Sequence, residues 1–302
     1  MAMSRPKAVL IAGPTSCGKS AAALKLAAAL GGTIINADSM QVYRELAVLT
    51  ARPSPEDEAV APHRLYGFVP AHEAYSVGRW LDDVSAAIAE SEGSVPILVG
   101  GTGLYFKALL EGLAPVPDIP EPIRAYWREQ ANTLGPEGLY RELAQRDPAM
   151  AMRLKPSDPQ RVVRALEVIE ATGTSLAEWQ GGESEPVLSP EEVVKLVVAP
   201  ERETIYARID TRFDRMIEQG ALEEVRALIA LRLDPGLPVM RAHGVRELAA
   251  HLVGVCSLEE ATTKAKTESR RYAKRQMTWL RRFMTDWDWF PDEAAIADAI
   301  TP

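Results

Sequence analysis

The sequence predicts an α/β fold, a parallel sheet core that carries an all-helical insertion. Three observations predict it. In the first third, short continuous apolar runs alternate with helical patterns. Residues 116–190 then read as helix and loop with no strand candidate, and a further apolar run, Val193 to Ala199, resumes the strand pattern. Strands apolar on both faces and separated by helices require a parallel sheet covered on both sides.

The elements follow in order. Ala8 to Ala12 reads as a buried strand, followed by a Gly-rich turn and an Ala/Leu helix to about Leu30. Thr33 to Asn36 is a second strand, and Leu65 to Val69 a weaker third. Ser76 has the residue type of a helix N-cap, and Val77, Trp80, Leu81, Val84, Ala87 and Ile88 share one face of the helix it starts. Pro96 to Gly100 is another apolar run closed by glycine. The rigid, Pro-rich stretch Ala114 to Pro120 suits a linker, so the chain divides into a core segment 1–115, an insertion 116–190 and a returning core segment 191–302. Beyond Glu201, Ile205, Ile209, Phe213, Met216 and Ile217 recur at helical spacing, and a long final helix runs from about Leu258 to Met284. No repeat or low-complexity tract is present.

Composition narrows the class. A chain of 302 residues that is 47% hydrophobic and 25% charged builds a core and is not mainly disordered. Its apolar stretches are too short or too interrupted to cross a bilayer, as Lys25 interrupts Ala21 to Leu30, so no membrane partner is expected. The polar start, Met1 to Lys7, shows no secretory signal, so a reducing cytoplasm is the expected location. Two cysteines, Cys17 and Cys256, exclude a disulfide framework and a Cys-rich zinc site. A net charge of −8 argues on average against nucleic acid. The average hides a stripe: residues 261–282 hold eight Lys/Arg against the single acid Glu268. Within it Arg270, Lys274 and Arg281 recur at intervals of four and seven, one continuous charged face suited to RNA or a diphosphate.

Gly13-Pro14-Thr15-Ser16-Cys17-Gly18-Lys19-Ser20 carries the chemistry most clearly. It fits G-x-x-x-x-G-K-[ST] between a strand and a helix, the context that gives this motif its meaning. Backbone N–H groups and the helix N-terminus cradle a phosphate there, Lys19 adds a mobile cation, and the Ser20 hydroxyl can ligate Mg²⁺. The core is therefore P-loop NTPase-like, and its ligand is a di- or triphosphate. No Asn-Lys-x-Asp guanine motif accompanies the loop.

Two further strand ends add polar groups where open α/β sheets bind ligands. Asp38, in Asp38-Ser39-Met40-Gln41-Val42-Tyr43-Arg44, could serve as general base, metal ligand or simple N-cap. In Gly100-Gly101-Thr102-Gly103-Leu104-Tyr105, a substrate can approach the backbone closely while the Thr102 hydroxyl donates to an anion. His63 reads equally as structural or functional. Trp279, Trp287 and Trp289 read as packing residues rather than base platforms.

In this order, Gly13–Ser20, Asp38–Arg44, Thr50-Ala51-Arg52-Pro53, Pro62-His63-Arg64-Leu65 and Gly100–Tyr105 resemble the tRNA dimethylallyltransferases, or isopentenyl-tRNA transferases. Asp158-Pro159-Gln160-Arg161-Val162-Val163-Arg164-Ala165-Leu166-Glu167 and Tyr272–Arg281 extend the resemblance to nearly the whole chain. It implies Mg²⁺-dependent transfer of dimethylallyl from its diphosphate to N6 of the adenine 3′-adjacent to the anticodon. The implied partners are dimethylallyl diphosphate and the tRNA anticodon stem-loop, and a monomer is expected. In that family the loop holds the prenyl diphosphate rather than ATP.

Carried over residue by residue, the resemblance implies that Gly13 to Ser20 hold the diphosphate, with Lys19 neutralising it and Ser20 on the metal. Asp38 takes the proton of the attacking amine, Thr102 sits beside the departing oxygen, and Arg208 and Arg212 neutralise the leaving group. Asp38, Ser39, Met40, Gln41, Arg124, Gln160, Arg161, Val162, Val163 and Arg164 contact tRNA. The chain departs from the family at Gly244-Val245-Arg246, where a tyrosine is usual at the middle position, and it has no zinc finger after the last helix. The competing readings are a P-loop small-molecule kinase, a prenyltransferase acting on free adenylate, and an ATP-driven RNA-binding switch.

Overall fold

The computed structural model describes residues 6–182 and 184–300. It divides into two compact units, one comprising the chain up to Leu110 and from Val187 onward, the other Glu111–Pro186.

The first unit is built on six parallel strands: β1 (Ala8–Ala12), β2 (Gly32–Asn36), β3 (His63–Arg64), β4 (Val95–Gly100), β5 (Val193–Val198) and β6 (Asp288–Phe290). Their order across the sheet is β3-β2-β4-β1-β5-β6. β1 lies in the middle, its Val9 to Ala12 paired with Ile97 to Gly100 of β4 and its Ala8 to Ala12 with Val193 to Val197 of β5. Its five residues are all buried, with Leu10 packing into one core layer and Val9 and Ile11 into the other. This two-faced burial is why the strand reads as an unbroken apolar run.

Helices cover both faces: α1 (Lys19–Leu30), α2 (Pro55–Val60), α3 (Val77–Ala89) and α4 (Gly103–Glu111) in the first half. Ser76 caps α3, its hydroxyl accepting from Arg79 N–H, and Trp80, Val84 and Ala87 are buried on the predicted face. Trp80 also donates from its indole N–H to the Asn36 carbonyl at 2.9 Å, tying α3 to the end of β2.

The third strand differs from the sequence expectation. Pairing occurs at His63–Arg64, because Leu65 (φ 64°) and Gly67 (φ 57°) turn the backbone left-handed inside the expected run. Val69 keeps only an isolated bridge to Tyr43. The short edge strand β6 had no signal, since three residues give no period to read.

The second unit is wholly helical: α5 (Glu121–Arg146), α6 (Pro148–Ala151), α7 (Pro159–Thr172) and α8 (Leu176–Trp179). α5 is two helices joined at a kink at Gly135, followed by Pro136. The unit has its own core, in which Trp127, Leu139, Leu143, Val162, Ala165, Leu166 and Val168 are buried. Its limits lie a few residues before those expected. Val187 and Leu188 donate backbone N–H groups to the Leu109 carbonyl, and Leu188 is buried in the sheet core.

The C-terminal part adds α9 (Arg202–Glu218), α10 (Ala221–Ala230), α11 (Val245–Leu252), α12 (Leu258–Phe283) and α13 (Glu293–Ile300) to the first unit. α12 starts in a capping box between Ser257 and Glu260.

Candidate active site

The loop from Gly13 to Ser20 follows β1 at the C-terminal edge of the sheet. α2, α3, α7 and α12 are each capped by a Ser or Asp side chain, whereas α1 starts at Gly18 with no side-chain cap. The N–H groups of its first turn are thus left for a ligand, and the helix dipole favours an anion. Ser16 (φ 62°) and Gly18 (φ 101°) both take the left-handed conformation, which curls successive N–H groups into an anion-binding nest. Lys19 is half-buried and donates to the Pro14 carbonyl at 3.2 Å, so its ammonium already lies over the loop. Ser20 is exposed at the first turn, and Cys17 is buried beneath the loop, where burial pushes its thiol up.

The ends of β2 and β4 meet beside this loop. Gly100 is required there, because a Cβ would fall 1.9 Å from the Ala37 carbonyl oxygen. The close approach lets Thr102 N–H donate to that carbonyl, while Ser39 N–H donates to the Thr102 hydroxyl at 3.0 Å. Asp38 is half-buried and oriented by a backbone bond, Met40 N–H to its Oδ1 at 2.9 Å. The Asn36 side chain fixes the backbone on either side: Oδ1 accepts from Asp38 N–H, and Nδ2 donates to the carbonyls of Asp38 and Leu65. The Asp38 charge reaches the phenols of Tyr66, Tyr105 and Tyr272, adding to the upward push that their burial already imposes.

α9 brings two arginines to the phosphate loop. Arg212 donates from Nη2 to the Thr15 hydroxyl, and Arg208 from Nη1 to the Cys17 carbonyl at 3.1 Å. Burial lowers the Arg212 guanidinium and the nearby Asp38 carboxylate opposes that shift. An arginine starts far enough above neutrality to remain charged. Arg208 also pairs with Glu293 at 3.5 Å, a half-exposed contact.

Of these groups, Thr15, Asp38, Ser39 and Arg212 open on a cavity of about 270 Å³. Its lining combines the polar groups of Arg241, His243, Ser269 and Tyr272 with the apolar side chains of Leu49, Ile209, Phe213 and Met216. The His243 and Tyr272 rings lie 4.3 Å apart, and burial with the nearby Arg275 holds the imidazole below its ordinary value, favouring the neutral ring.

Most of the sequence-derived residues converge. Gly13 to Ser20, Asp38, Ser39, Met40, Thr102, Arg208 and Arg212 all belong to this region of the first unit. Gln41 is tied into its own loop, donating from Nε2 to the Thr50 and Ala51 carbonyls. His63 holds the Ala61 carbonyl at 2.9 Å and packs against Tyr66, a structural use. Trp287 is buried against Phe106 and Trp279 is half-buried against Phe283, whereas Trp289 is exposed and donates its indole N–H to the Met284 carbonyl.

Two expectations need correction. Val162 is fully buried in the core of the helical unit, so its side chain is not free to touch RNA, while Val163 is half-buried against that core. Gln160, Arg161 and Arg164 remain at least partly exposed on α7, and Arg124 is half-buried on α5. The basic face of α12 is also not continuous through Arg270. That side chain turns inward to Asp210 of α9 at 2.6 Å, and Lys266 pairs with Asp214. Lys264, Lys274, Arg275, Arg281 and Arg282 stay exposed.

Sequence reasoning missed Gln276, His243 and Tyr272 as site residues. Gln276 and Tyr272 stood within a recognised segment, while His243 is one residue before the Gly244-Val245-Arg246 departure. Only the folding of α11 and α12 against the phosphate loop brings the three there.

Comparison with known proteins agrees with this geometry. Residues 41–283 match the family described as IPP transferase, and residues 6–67 that described as isopentenyl transferase. A tRNA dimethylallyltransferase of Rhodopseudomonas palustris is 52% identical over 99% of this chain and 94% of its own, and one of Beijerinckia indica is 54% identical over 95% and 96%. Among solved structures, the full-length tRNA isopentenylpyrophosphate transferase of Bacillus halodurans is 34% identical with a TM-score of 0.69, covering 98% of this chain and 94% of its own. A eukaryotic dimethylallyltransferase acting on tRNA is 30% identical with a TM-score of 0.75, over 91% of this chain and 70% of its own. With an uncapped phosphate loop, a strand-end aspartate and a family match across most of its length, the chain belongs to the IPP transferase family.

Proposed function

We infer that this chain is a tRNA dimethylallyltransferase. It moves the dimethylallyl group of dimethylallyl diphosphate to N6 of the adenine 3′-adjacent to the anticodon, leaving N6-isopentenyladenosine and diphosphate. The observation that supports this most is the cavity itself, where Thr15, Arg212 and Asp38 share the lining with Leu49, Ile209, Phe213 and Met216. These apolar side chains offer an allylic C5 group a dry place beside the phosphate-binding groups.

The diphosphate lies on the loop N–H groups, with Lys19, Arg208 and Arg212 neutralising its charge. As the C1–O bond breaks, charge grows on the departing oxygen, and the Thr102 hydroxyl is the donor beside it. The apolar side chains keep water from the allylic cation. The adenine amine is a poor nucleophile because its lone pair is delocalised. Asp38 takes the N6 proton as the N6–C1 bond forms, and its backbone bond at Oδ1 leaves Oδ2 for that use. The base must leave its stack to arrive here.

The Ser20 hydroxyl fits Mg²⁺. It stands exposed at the first turn of α1, where it would hold the ion together with phosphate oxygens and water, ligands of the kind Mg²⁺ favours. When bound, it supplies further neutralisation of the leaving diphosphate.

For contact with the anticodon stem-loop the helical unit offers Gln160, Arg161, Arg164 and Arg124; taken by itself, the first unit offers Asp38, Ser39, Met40, Gln41 and the exposed cations of α12. The chain acts as a monomer. No helix among the described residues is long and apolar enough to cross a membrane.

Incubation with dimethylallyl diphosphate, Mg²⁺ and an anticodon stem-loop, followed by mass spectrometry of the RNA, tests the reading. A gain of one C5 unit on adenine is expected. Phosphoryl transfer from ATP, or prenylation of free AMP alone, would overturn it.

A further inference from the structure

Gln276 lies inside α12 at 7% exposure, and both ends of its carboxamide are used. Oε1 accepts from Thr15 N–H at 2.9 Å, and Nε2 donates to the Gly101 carbonyl at 2.9 Å. The polarity admits one orientation, since the reverse would set an NH₂ against an N–H and an oxygen against a carbonyl. Packing alone does not need this residue, because methionine has similar bulk. Glutamine is needed since the buried Gly101 carbonyl and the half-buried Thr15 N–H would otherwise both lose this partner.

The two loops joined in this way carry the chemistry. Thr15 belongs to the phosphate loop and is held a second time by Arg212. Gly101 precedes Thr102, whose N–H bonds the Ala37 carbonyl next to Asp38. We propose that Gln276 is a positioning residue for this site, its carboxamide pinning the phosphate loop to the Gly101–Thr102 turn so that diphosphate cradle and Thr102 hydroxyl keep one fixed separation. The inference rests on the prenyl-transfer reading of the site and adds a residue to it that touches neither substrate.

A carboxylic acid can imitate the carboxamide and a carboxylate cannot. Protonated, Gln276→Glu keeps an acceptor for Thr15 N–H and gains an O–H donor for the Gly101 carbonyl. Ionised, it sets two acceptors there and adds negative charge beside the diphosphate.

The test measures binding of inorganic diphosphate with Mg²⁺ to the full chain by calorimetry, between about pH 5 and pH 8.5. Wild type, Gln276→Glu and Gln276→Met are compared, with anticodon stem-loop binding measured alongside. Gln276→Met is expected to bind diphosphate roughly tenfold more weakly or worse at every pH, with stem-loop affinity within about twofold of wild type. For Gln276→Glu the loss relative to wild type should grow as pH rises and shrink as pH falls, which a general packing defect would not produce.

Wild-type affinity in Gln276→Met, a pH-independent ratio in Gln276→Glu, or an equal loss of RNA binding would each overturn the proposal. If Gln276→Glu does not fold, Gln276→Met decides alone. Failure of the wild type to bind diphosphate or transfer a prenyl group would instead refute the reading on which the inference rests.

Discussion

Arg212 of α9 donates from Nη2 to the Thr15 hydroxyl at 2.5 Å, carrying a cation from the C-terminal half of the chain to the loop that follows the first strand. Loss of that cation should be felt by the diphosphate before the RNA. Arg212→Ala is expected to raise the KM for dimethylallyl diphosphate roughly tenfold or more and to lower kcat as well, because the charge it neutralises grows as the bond breaks. Steady-state kinetics in each substrate check this. A change confined to the KM for RNA would contradict it.

Asp38 is anchored by the Met40 N–H, and the proposed mechanism gives it the proton of the attacking amine. Asp38→Asn keeps the acceptor for Met40 N–H and removes the base. Turnover should fall roughly 10²-fold or more while diphosphate binding changes little. Wild-type turnover in single-turnover assays would leave the residue only its turn-forming role.

The Thr102 hydroxyl accepts from Ser39 N–H at 3.0 Å and donates its own proton to Ser39 Oγ over a long 3.4 Å, a weak bond that a departing oxygen can replace. Thr102→Ala is expected to lower kcat by more than it raises the KM for the diphosphate, since a donor to the departing oxygen works mainly in the transition state. The opposite split would place the hydroxyl in ground-state binding alone.

The two kinds of cation on α12 should separate under salt. Arg275→Ala or Lys274→Ala, both exposed, are expected to reduce the slope of log affinity against log salt for stem-loop binding by about 0.9 for each phosphate no longer neutralised. Arg270→Ala breaks the pair with Asp210 and should lower Tm while leaving the slope unchanged. Equal slope changes in all three would mean that Arg270 leaves Asp210 for the RNA.

Glu167 of α7 is buried, with Arg164 Nη1 3.5 Å from its carboxylate. Burial raises its carboxyl, and Arg164, Arg124 and Arg128 pull it back only in part. A pKa raised on folding contributes stability that is complete below the unfolded value and lost as pH rises through the folded one. Glu167→Gln should therefore raise Tm at pH 7, and the gain should vanish below the ordinary carboxyl value of 4.5. Thermal melts at both pH values test this. A lower Tm at pH 7 would show that the arginine pairs outweigh burial.

The phosphate loop, Asp38 and Thr102 were legible because their meaning is local. Each stands immediately after an apolar run, and the C-terminal ends of parallel strands come together at one edge of the sheet whatever the connections do. The buried strands and helix α3 were legible for the same reason, through short-range period and, at Ser76, cap chemistry. β3 was misplaced because left-handed backbone at Leu65 and Gly67 leaves no trace in hydropathy.

By itself, then, the sequence determined the α/β core, the helical insertion, the phosphate-binding loop and the family resemblance. Tertiary structure alone decided which residues meet. Period shows that one face of α12 is polar. It cannot show that Arg270 turns to Asp210 while Gln276, six residues on, reaches Thr15 and Gly101. Nor can it show that Val162, between two surface cations of α7, is sealed in a core. Those outcomes depend on partners up to 261 residues away in the chain, and only packing of one element on another selects among the faces that a helix offers.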